Sequence, residues 1–501
     1  MNKTVNRIIW ITICVILTMT TTASSFDFSK VKKKITEYNL DNGLKIIIME
    51  RHDAPVVSFV TWANVGGSDD PKGYTGLAHM FEHMAFKGTK YIGSKNIEEE
   101  LKLIAAEDSI FMELRKERLK GRYADSTRLA ILNKAYDTAR ETSYELVVPN
   151  EFSQIVEREG GVGLNAGTSM DFTMYTSSYP SNKVELWMAM ESQRFKEPVL
   201  REMFKERDVI MEERRMTLES SPFGRLIDEM KAAAFKAHPY GIAIIGHTSD
   251  INNYTREAAM AFYKEHYVPS NMVIAVVGDV KTKDIIKLAE KYWGSIPYQS
   301  PPEPVTTVEP EQKSERRVYM EDPSQPLLVA GWHIPESTHP DWLAIEALAD
   351  YFGQGRTSML HKNLVKEKKI AVQVGVYPGY PASKYPCLFL VYAIPSQNHS
   401  NEECEKQILT EIEKLKTELI PLAEVEKIKA RAKAELIFNL DSNGGLAAQL
   451  AAYQTYSGDW RELFNELDKI NAITAEDIQR VAKQYLNRDN CTVGVMNTIE
   501  N

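Results

Sequence analysis

The pattern of apolar and polar residues along the chain predicts strands and helices in mixture. Apolar and β-branched runs from Leu44 to Met49 and from Val56 to Ala63 are typical of strands, and the stretch from Asn165 to Ser178 is typical of a paired strand. Apolar residues at helical spacing predict helices from Gly73 to Phe86 and from Val184 to Phe195. Strands interspersed with long helices predict an α+β fold built in layers.

One segment of this pattern occurs twice. The stretch that begins at Ile251 leads through a helical pattern to a β-branched strand that begins at Asn271, and the stretch that begins at Ile470 leads to a similar strand at Asn490. The offset is 219 residues at both ends, with no gap. A helix followed by a strand is common, so a chance match is one interpretation. The ungapped register favours a duplicated domain.

The first residues are predicted to lie outside the fold. Lys3 and Arg7 precede an apolar run at residues 8–19, and small residues follow it. This layout is typical of a secretory signal peptide, here at residues 1–24. An uncleaved anchor is the alternative, although the run is short for a membrane span. We therefore expect an exported protein without a membrane span after cleavage, periplasmic if the source is a Gram-negative bacterium.

The remaining chain divides into two halves. A proline-rich segment at residues 298–315 is typical of a linker between an N-terminal domain at 30–297 and a related C-terminal domain at 316–501. A highly charged insertion at about residues 105–158 has apolar stripes that predict a protruding helical hairpin. This hairpin is either a docking arm for a partner or a solvated extension.

Charge and cysteine content exclude some classes of protein. The net charge is −9, so the chain as a whole has no excess of positive charge to neutralise phosphates, and a nucleic-acid partner is not expected. Beyond Cys14 the chain has three cysteines, Cys387, Cys404 and Cys491. An odd number leaves at least one free thiol, so disulfides are not expected to hold the fold together.

The chemistry-bearing motif is His79-Met-Phe-Glu82-His83. On a helix, positions i, i+3 and i+4 lie on one face, so the two imidazoles and the carboxylate point into the same space. Two such histidines can each place one nitrogen on a tetrahedral zinc ion and leave room for a third ligand and a water molecule. Glu82 can then act as general base toward that water. The alternative is a set of ordinary, half-buried helix residues.

The motif and its flanks, from Asn64 to Thr89, closely resemble the pitrilysin/insulinase family of zinc metallopeptidases, which includes the mitochondrial processing peptidases. The resemblance implies two related domains, each a mixed sheet layered with helices, facing each other across a cavity, with one Zn²⁺ per chain. It also implies Glu213 as the third metal ligand, with Glu206 seven residues earlier as an outer carboxylate that orients a histidine. Glu212 would point about 100° away on a helix and ranks behind.

The same resemblance indicates how a substrate would bind. The stretch from Gly163 to Ser169 is similar to the family's edge strand, which takes up an extended peptide through main-chain hydrogen bonds. Asn165 and Ala166 would flank the scissile bond. Asn165 is alternatively only a turn residue that initiates the strand.

One expected feature is missing. Family members with a complete site carry an Arg and a Tyr, seven residues apart, that contact the substrate, and the matching positions are Val365 and Val372. Valine cannot donate a hydrogen bond to a carbonyl oxygen or an oxyanion. We expect a related subunit to supply this pair. The alternative is an enzyme that works without it, alone or as a homodimer.

These observations predict a zinc-dependent endopeptidase that hydrolyses extended oligopeptides or unfolded polypeptide segments. A non-catalytic peptide-binding or scaffold subunit is the alternative function. The intact set of His79, Glu82, His83 and Glu213 favours the enzyme.

Overall fold

The computed structural model describes residues 31–499, in which two sheets share one topology. The first sheet has the order β1-β2-β6-β3-β5-β4 and the second has the order β7-β11-β8-β10-β9. The strands are β1 (Ile35–Asn39), β2 (Lys45–Glu50), β3 (Val56–Ala63), β4 (Val162–Thr168), β5 (Thr173–Pro180), β6 (Met272–Gly278), β7 (Arg316–Asp322), β8 (Leu327–Ile334), β9 (Ala371–Tyr380), β10 (Cys387–Pro395) and β11 (Cys491–Thr498).

Helices cover both sheets. In chain order they are α1 (Leu77–Met84), α2 (Ile97–Arg118), α3 (Ser126–Tyr144), α4 (Glu151–Arg158), α5 (Val184–Lys196), α6 (Met203–Arg214), α7 (Pro222–Ala234), α8 (Thr248–Asn252), α9 (Arg256–His266), α10 (Thr282–Tyr292), α11 (Trp342–Gly353), α12 (Asn401–Thr417), α13 (Leu422–Asp441), α14 (Asn443–Ser457), α15 (Glu466–Ala472) and α16 (Ala475–Tyr485).

The repeat in the sequence corresponds to the inner strands of the two sheets. Helix α9 leads into β6, which pairs parallel with β2 and antiparallel with β3. Helix α16 leads into β11, which pairs parallel with β7 and antiparallel with β8. Five strands therefore correspond one to one between the sheets. The predicted class, α+β with two related domains, is confirmed.

The core of the first half lies between its sheet and the helices α1, α5, α6, α9 and α10. Strand β6 is buried along its whole length, as its uninterrupted apolar sequence requires. Phe59 of β3 stacks on Trp187 of α5 with ring centroids 4.0 Å apart. Phe81 of α1 packs against Tyr263 of α9 and Tyr267 just after it, which fixes the position of α1 on this face.

Each half contributes one helix that packs on the sheet of the other half. Helix α7, from the first half, lies on the second sheet, where a Cβ atom at Gly494 would sit 3.2 Å from Leu226 and Met230. Helix α14, from the second half, lies on the first sheet. Its Leu446 and Leu450 pack against the face of that sheet opposite to α1 and α5. Each half thus completes the core of the other.

Several boundaries differ from the sequence prediction. Helix α1 begins at Leu77 rather than Gly73, because Gly73 and Gly76 have φ angles of +85° and +92°, outside helical space. The insertion forms an antiparallel helix pair that begins at Ile97 rather than near residue 105. Residues 297–315 hold no helix or strand. The domain limits stay a prediction, and the signal segment lies outside the described residues.

Two further absences hold for the described part of the chain. None of its helices is both long enough and apolar enough to cross a membrane. Cys387, Cys404 and Cys491 are free and buried there, so none of the three forms a disulfide.

Candidate metal centre

The helix that carries the motif is anchored at its first turn by a buried carboxylate. Asp70 accepts hydrogen bonds from the backbone N–H of Gly76 (2.6 Å) and of Ala78 (2.9 Å). These N–H groups have no partner within the helix, so a side-chain acceptor is needed there. Burial raises the pKa of Asp70 well above its ordinary value. A Cβ at Gly76 would lie 2.5 Å from the carbonyl oxygen of Ile245, so only glycine fits this close approach.

Three side chains converge beside α1. Nε2 of His79 lies 3.6 Å from one carboxylate oxygen of Glu213, and Nε2 of His83 lies 3.5 Å from the other. One ligand atom from each residue lies within 4.8 Å of the other two. Zinc bonds of about 2.0–2.2 Å in a tetrahedron place ligand atoms roughly 3.3–3.5 Å apart. The side chains therefore have the donor types and the approximate spacing that a zinc ion requires.

A second carboxylate contacts His83 at the ring nitrogen that does not face Glu213. Its Nδ1 lies 3.3 Å from Oε2 of Glu206, and Oε1 of Glu206 accepts a hydrogen bond from the ammonium of Lys87 (2.5 Å). Burial lowers the pKa of His83, but the neighbouring carboxylates of Glu206 and Glu213 outweigh burial and raise it to about 9. A metal ion at Nε2 would take the place of that proton.

His79 has different surroundings. Its side chain is buried, and burial lowers the pKa of the imidazole. Nδ1 of His79 is also buried and has no hydrogen-bond partner. The neutral ring is the form that binds metal, and Nε2 is its nitrogen facing Glu213.

Glu82 lies half-buried on the same helix, beside the ligand set. Its Oε2 accepts a hydrogen bond from the hydroxyl of Thr168 (2.7 Å) at the end of β4. Strand β4 is the last strand of its sheet and pairs only with β5. The carboxylate is therefore tied to the open edge of the sheet.

The predicted substrate residues lie on that edge. Asn165 is exposed and Ala166 is half-buried, and they face Thr176 and Tyr175 of β5 in the strand register. The strand begins at Val162, three residues before Asn165, so Asn165 lies within the strand rather than at its start.

The positions at which the substrate-contacting Arg and Tyr are expected lie in the second half. Val365 packs partly buried against the core, in a helical turn at His361–Glu367. Val372 lies in β9 with 57% of its surface exposed. Neither side chain offers a hydrogen-bond donor.

Within residues 31–499, His79, His83 and Glu213 are the single group with the geometry of a metal site. Helix α11 follows β8 as α1 follows β3, but it contains no histidine. The second half has thus the fold of the first without its donor set.

Sequence reasoning missed two residues that position this centre, Asp70 and Thr168. Asp70 lies six residues before the N–H of Gly76 that it caps, outside the usual spacing of a capping residue. Thr168 lies in the edge-strand stretch, but the direction of its hydroxyl depends on the packing of β4 against α1.

Two protein-family models match this chain. The model described as Insulinase (Peptidase family M16) matches residues 45–116 and 145–248. The model described as Peptidase M16 inactive domain matches residues 253–432. The gap in the first match, residues 117–144, falls within the insertion and covers the end of α2 and all of α3.

Relatives are similar along most of their length. Zinc protease PqqE of Helicobacter pylori is 28% identical over 478 residues, which cover 93% of this chain and 94% of that protein. The uncharacterised zinc protease YmxG of Bacillus subtilis is 21% identical, covering 91% and 96%. The mitochondrial-processing peptidase subunit beta of Lentinula edodes is 24% identical, covering 89% and 86%.

Solved structures agree with the fold. A protease from Helicobacter pylori superposes with a TM-score of 0.77 at 26% identity, covering 93% of this chain and 99% of that one. A peptidase M16 inactive domain from Pseudomonas fluorescens superposes with a TM-score of 0.74 at 16% identity, covering 93% and 98%. Since both models of one family match, and relatives named as zinc proteases align over nearly their full length, the chain belongs to the insulinase family of peptidases, family M16.

Proposed function

We propose that this chain is a zinc-dependent endopeptidase for extended oligopeptides or unfolded polypeptide segments. One Zn²⁺ would be held by His79, His83 and Glu213. The observation that carries the proposal is the spacing of 3.5 and 3.6 Å between the histidine nitrogens and the Glu213 carboxylate. These separations run to the two different oxygens of Glu213 and are long for hydrogen bonds. They leave one nitrogen of each histidine and the carboxylate within reach of a single zinc ion.

The residues around the ligand set have separate tasks in this proposal. Bound zinc supplies a Lewis acid that polarises the peptide carbonyl and acidifies water. Glu82 accepts the proton of the attacking water and later passes it to the leaving amine. The hydroxyl of Thr168 holds one oxygen of Glu82 in place, and the carboxylate of Glu206 fixes the ring of His83.

The open edge of β4 is the proposed substrate-binding strand. An extended peptide would pair with its free N–H and C=O groups, with Asn165 and Ala166 beside the scissile bond. Main-chain pairing gives affinity without demanding a sequence, which suits unfolded segments. The hydrogen bond from Thr168 to Glu82 connects this edge to the general base.

We propose further that a related subunit completes the site. The positions where an Arg and a Tyr are expected hold Val365 and Val372, and neither can contact a substrate carbonyl through a hydrogen bond. A homodimer, or a chain active alone, is the second candidate. We also propose that the chain is exported, and periplasmic in a Gram-negative source, from the signal-like pattern of residues 1–24.

The test is hydrolysis of a quenched fluorescent peptide library by the purified mature chain, with zinc measured in the same sample. We expect about one zinc per chain and cleavage that a chelator abolishes. Glu82→Gln should keep the zinc and lose turnover. Glu212→Gln is the matched control, because Glu212 is exposed and bonded to Arg215.

The other outcomes have distinct meanings. Unchanged turnover in Glu82→Gln would remove Glu82 from the role of base. Full zinc without cleavage would support the divided site, and adding a related chain with the Arg–Tyr pair should then restore turnover. Absence of zinc together with peptide binding would favour the scaffold function.

A further inference from the structure

The turn between β4 and β5 lies against the second half of the chain. Asp171 in this turn is 1% exposed, and its carboxylate accepts hydrogen bonds from the backbone N–H of Ser383 (3.1 Å) and of Lys384 (2.9 Å). The hydroxyl of Tyr240 donates a third hydrogen bond (2.5 Å). Ser383 and Lys384 belong to the turn between β9 and β10, which is the counterpart of the β4–β5 turn in the second sheet.

The contact between these two turns is reinforced on both sides. The ammonium of Lys384 donates a hydrogen bond to the side-chain oxygen of Asn64, one residue after β3 (2.7 Å). Phe172, next to Asp171, stacks on Trp62 at 4.0 Å and meets the edge of Tyr456 of α14 at 6.5 Å. The β4–β5 turn is thus held from both halves. The second half holds Asp171, whereas in the first half the N–H groups of Gly67 (3.1 Å) and Ser68 (2.9 Å) donate hydrogen bonds to the carbonyls of Ser169 and Met170.

The same turn carries the partner of the general base. Thr168, which donates its hydrogen bond to Glu82, is three residues from Asp171. The N–H of Ser169 bonds to the carbonyl of Phe172 at 2.7 Å, which closes the turn between them. This bond connects the turn that holds Asp171 to the end of β4 that carries Thr168.

We propose that contact between the two turns orients the general base, with Asp171 as a positioning residue that acts through Thr168. The inference rests on the proposed peptidase function. A buried carboxylate without its donors is unfavourable, so loss of the contacts at Asp171 would force the turn to rearrange. Glu82 is then aligned for proton transfer while the two turns are in contact.

A double-mutant cycle tests this route. Thr168→Val removes the hydroxyl, and Asp171→Asn weakens the contact with Ser383 and Lys384. Each should lower kcat about tenfold with KM nearly unchanged and zinc content intact. Because both act on the same hydrogen bond, the double variant should be no slower than about tenfold to twentyfold, rather than the roughly hundredfold of independent effects.

Two further variants keep the test informative if Asp171→Asn folds poorly. Tyr240→Phe removes one donor to Asp171 and should lower kcat in the same direction. Thr168→Ser keeps a hydroxyl and should recover most of the rate. Asp322→Asn is the control, because Asp322 pairs with Arg225 across the same two halves but far along the chain from the turn; its kcat should equal that of the wild type.

Hydrogen exchange of the zinc-loaded protein tests the contact between the two turns without relying on peptidase activity. Amides at residues 162–176 should exchange faster in Asp171→Asn and not in Asp322→Asn. Multiplicative effects in the cycle, an unchanged kcat in Asp171→Asn, or an equal loss in Asp322→Asn would overturn the proposal. A wild-type chain without activity would contradict the peptidase function, and the exchange data would then decide the turn contact alone.

Discussion

Glu206 approaches His83 from the side opposite the metal-facing nitrogen, with its carboxylate 3.3 Å from Nδ1. Glu213, seven residues later on the same helix, lies 3.5 Å from Nε2 of that ring. Helix α6 therefore contacts both nitrogens of one imidazole, and it fixes the ring and its tautomer together.

This arrangement predicts that Glu206 tunes zinc affinity. Glu206→Gln should weaken zinc binding about 10–100-fold, because a neutral amide orients the ring less well and makes Nε2 a poorer ligand. Competition with a chromogenic chelator measures the affinity, and excess zinc should restore turnover. Glu212→Gln is the control. Equal affinities for wild type and Glu206→Gln would contradict this role.

The carboxylate of Asp70 is predicted to support both stability and metal binding. Asp70→Ala leaves the N–H groups of Gly76 and Ala78 without their acceptor and should reduce the free energy of unfolding by about 1–2 kcal/mol. Zinc affinity should fall as well, because α1 carries both histidines. Asp125→Ala is a matched control: Asp125 caps α3 in the insertion, so its loss should reduce stability alone. Urea denaturation and chelator competition separate the two effects.

The contact of Glu37 with the second half predicts a pH dependence. Burial raises the pKa of Glu37, but hydrogen bonds from Lys45, Trp460 and Arg461 outweigh burial and lower it from 4.5 to about 2. A lowered carboxylate pKa stabilises the fold above pH 4.5, and this contribution is lost as the pH falls through about 2. The stability difference between wild type and Glu37→Gln, from urea denaturation, should be constant from neutral pH to about 5.5 and shrink at lower pH. A difference that grows on acidification would contradict the assignment.

Zinc removal is predicted to destabilise the protein in a concentration-dependent way. A ligand that binds only the folded state contributes about 2.7 kcal/mol at a free concentration one hundred times its Kd. The melting temperature should fall in chelator and rise again with added zinc. Glu213→Gln should show little of this response, since it loses a ligand. A wild-type melting temperature that does not change with zinc concentration would contradict the proposed metal site.

Much of this centre could be predicted from the sequence, because its geometry is local. The strand from Val56 to Ala63 is observed with the predicted limits, since β-branched and aromatic residues dominate it. The spacing of His79 and His83 fixes a shared face within one helical turn, and Glu213 follows from the resemblance of its helix. The two histidines need little knowledge of the tertiary fold, whereas Glu213 lies 130 residues beyond His83 (213 minus 83) and is identified only through the resemblance.

The unpredicted features depend on contacts between distant segments. Thr168 and Glu82 are 86 residues apart, and their hydrogen bond exists because β4 packs beside α1. Asp171 meets its two backbone donors 212 and 213 residues away. Amphipathic spacing in α7 indicates one buried face but does not identify the sheet that receives it, and α14 has no strong amphipathic pattern.

The exchange of helices between the halves has a consequence for biosynthesis. One face of the first sheet is covered by α14, which begins at Asn443, while the last strand of that sheet ends at Gly278. When the ribosome has made the first half, Val60, Trp62 and their neighbours still form an uncovered apolar surface. The first half is therefore not a self-sufficient folding unit. Until more than 160 further residues emerge (443 minus 278 is 165), this nascent surface is open to chaperones or to aggregation.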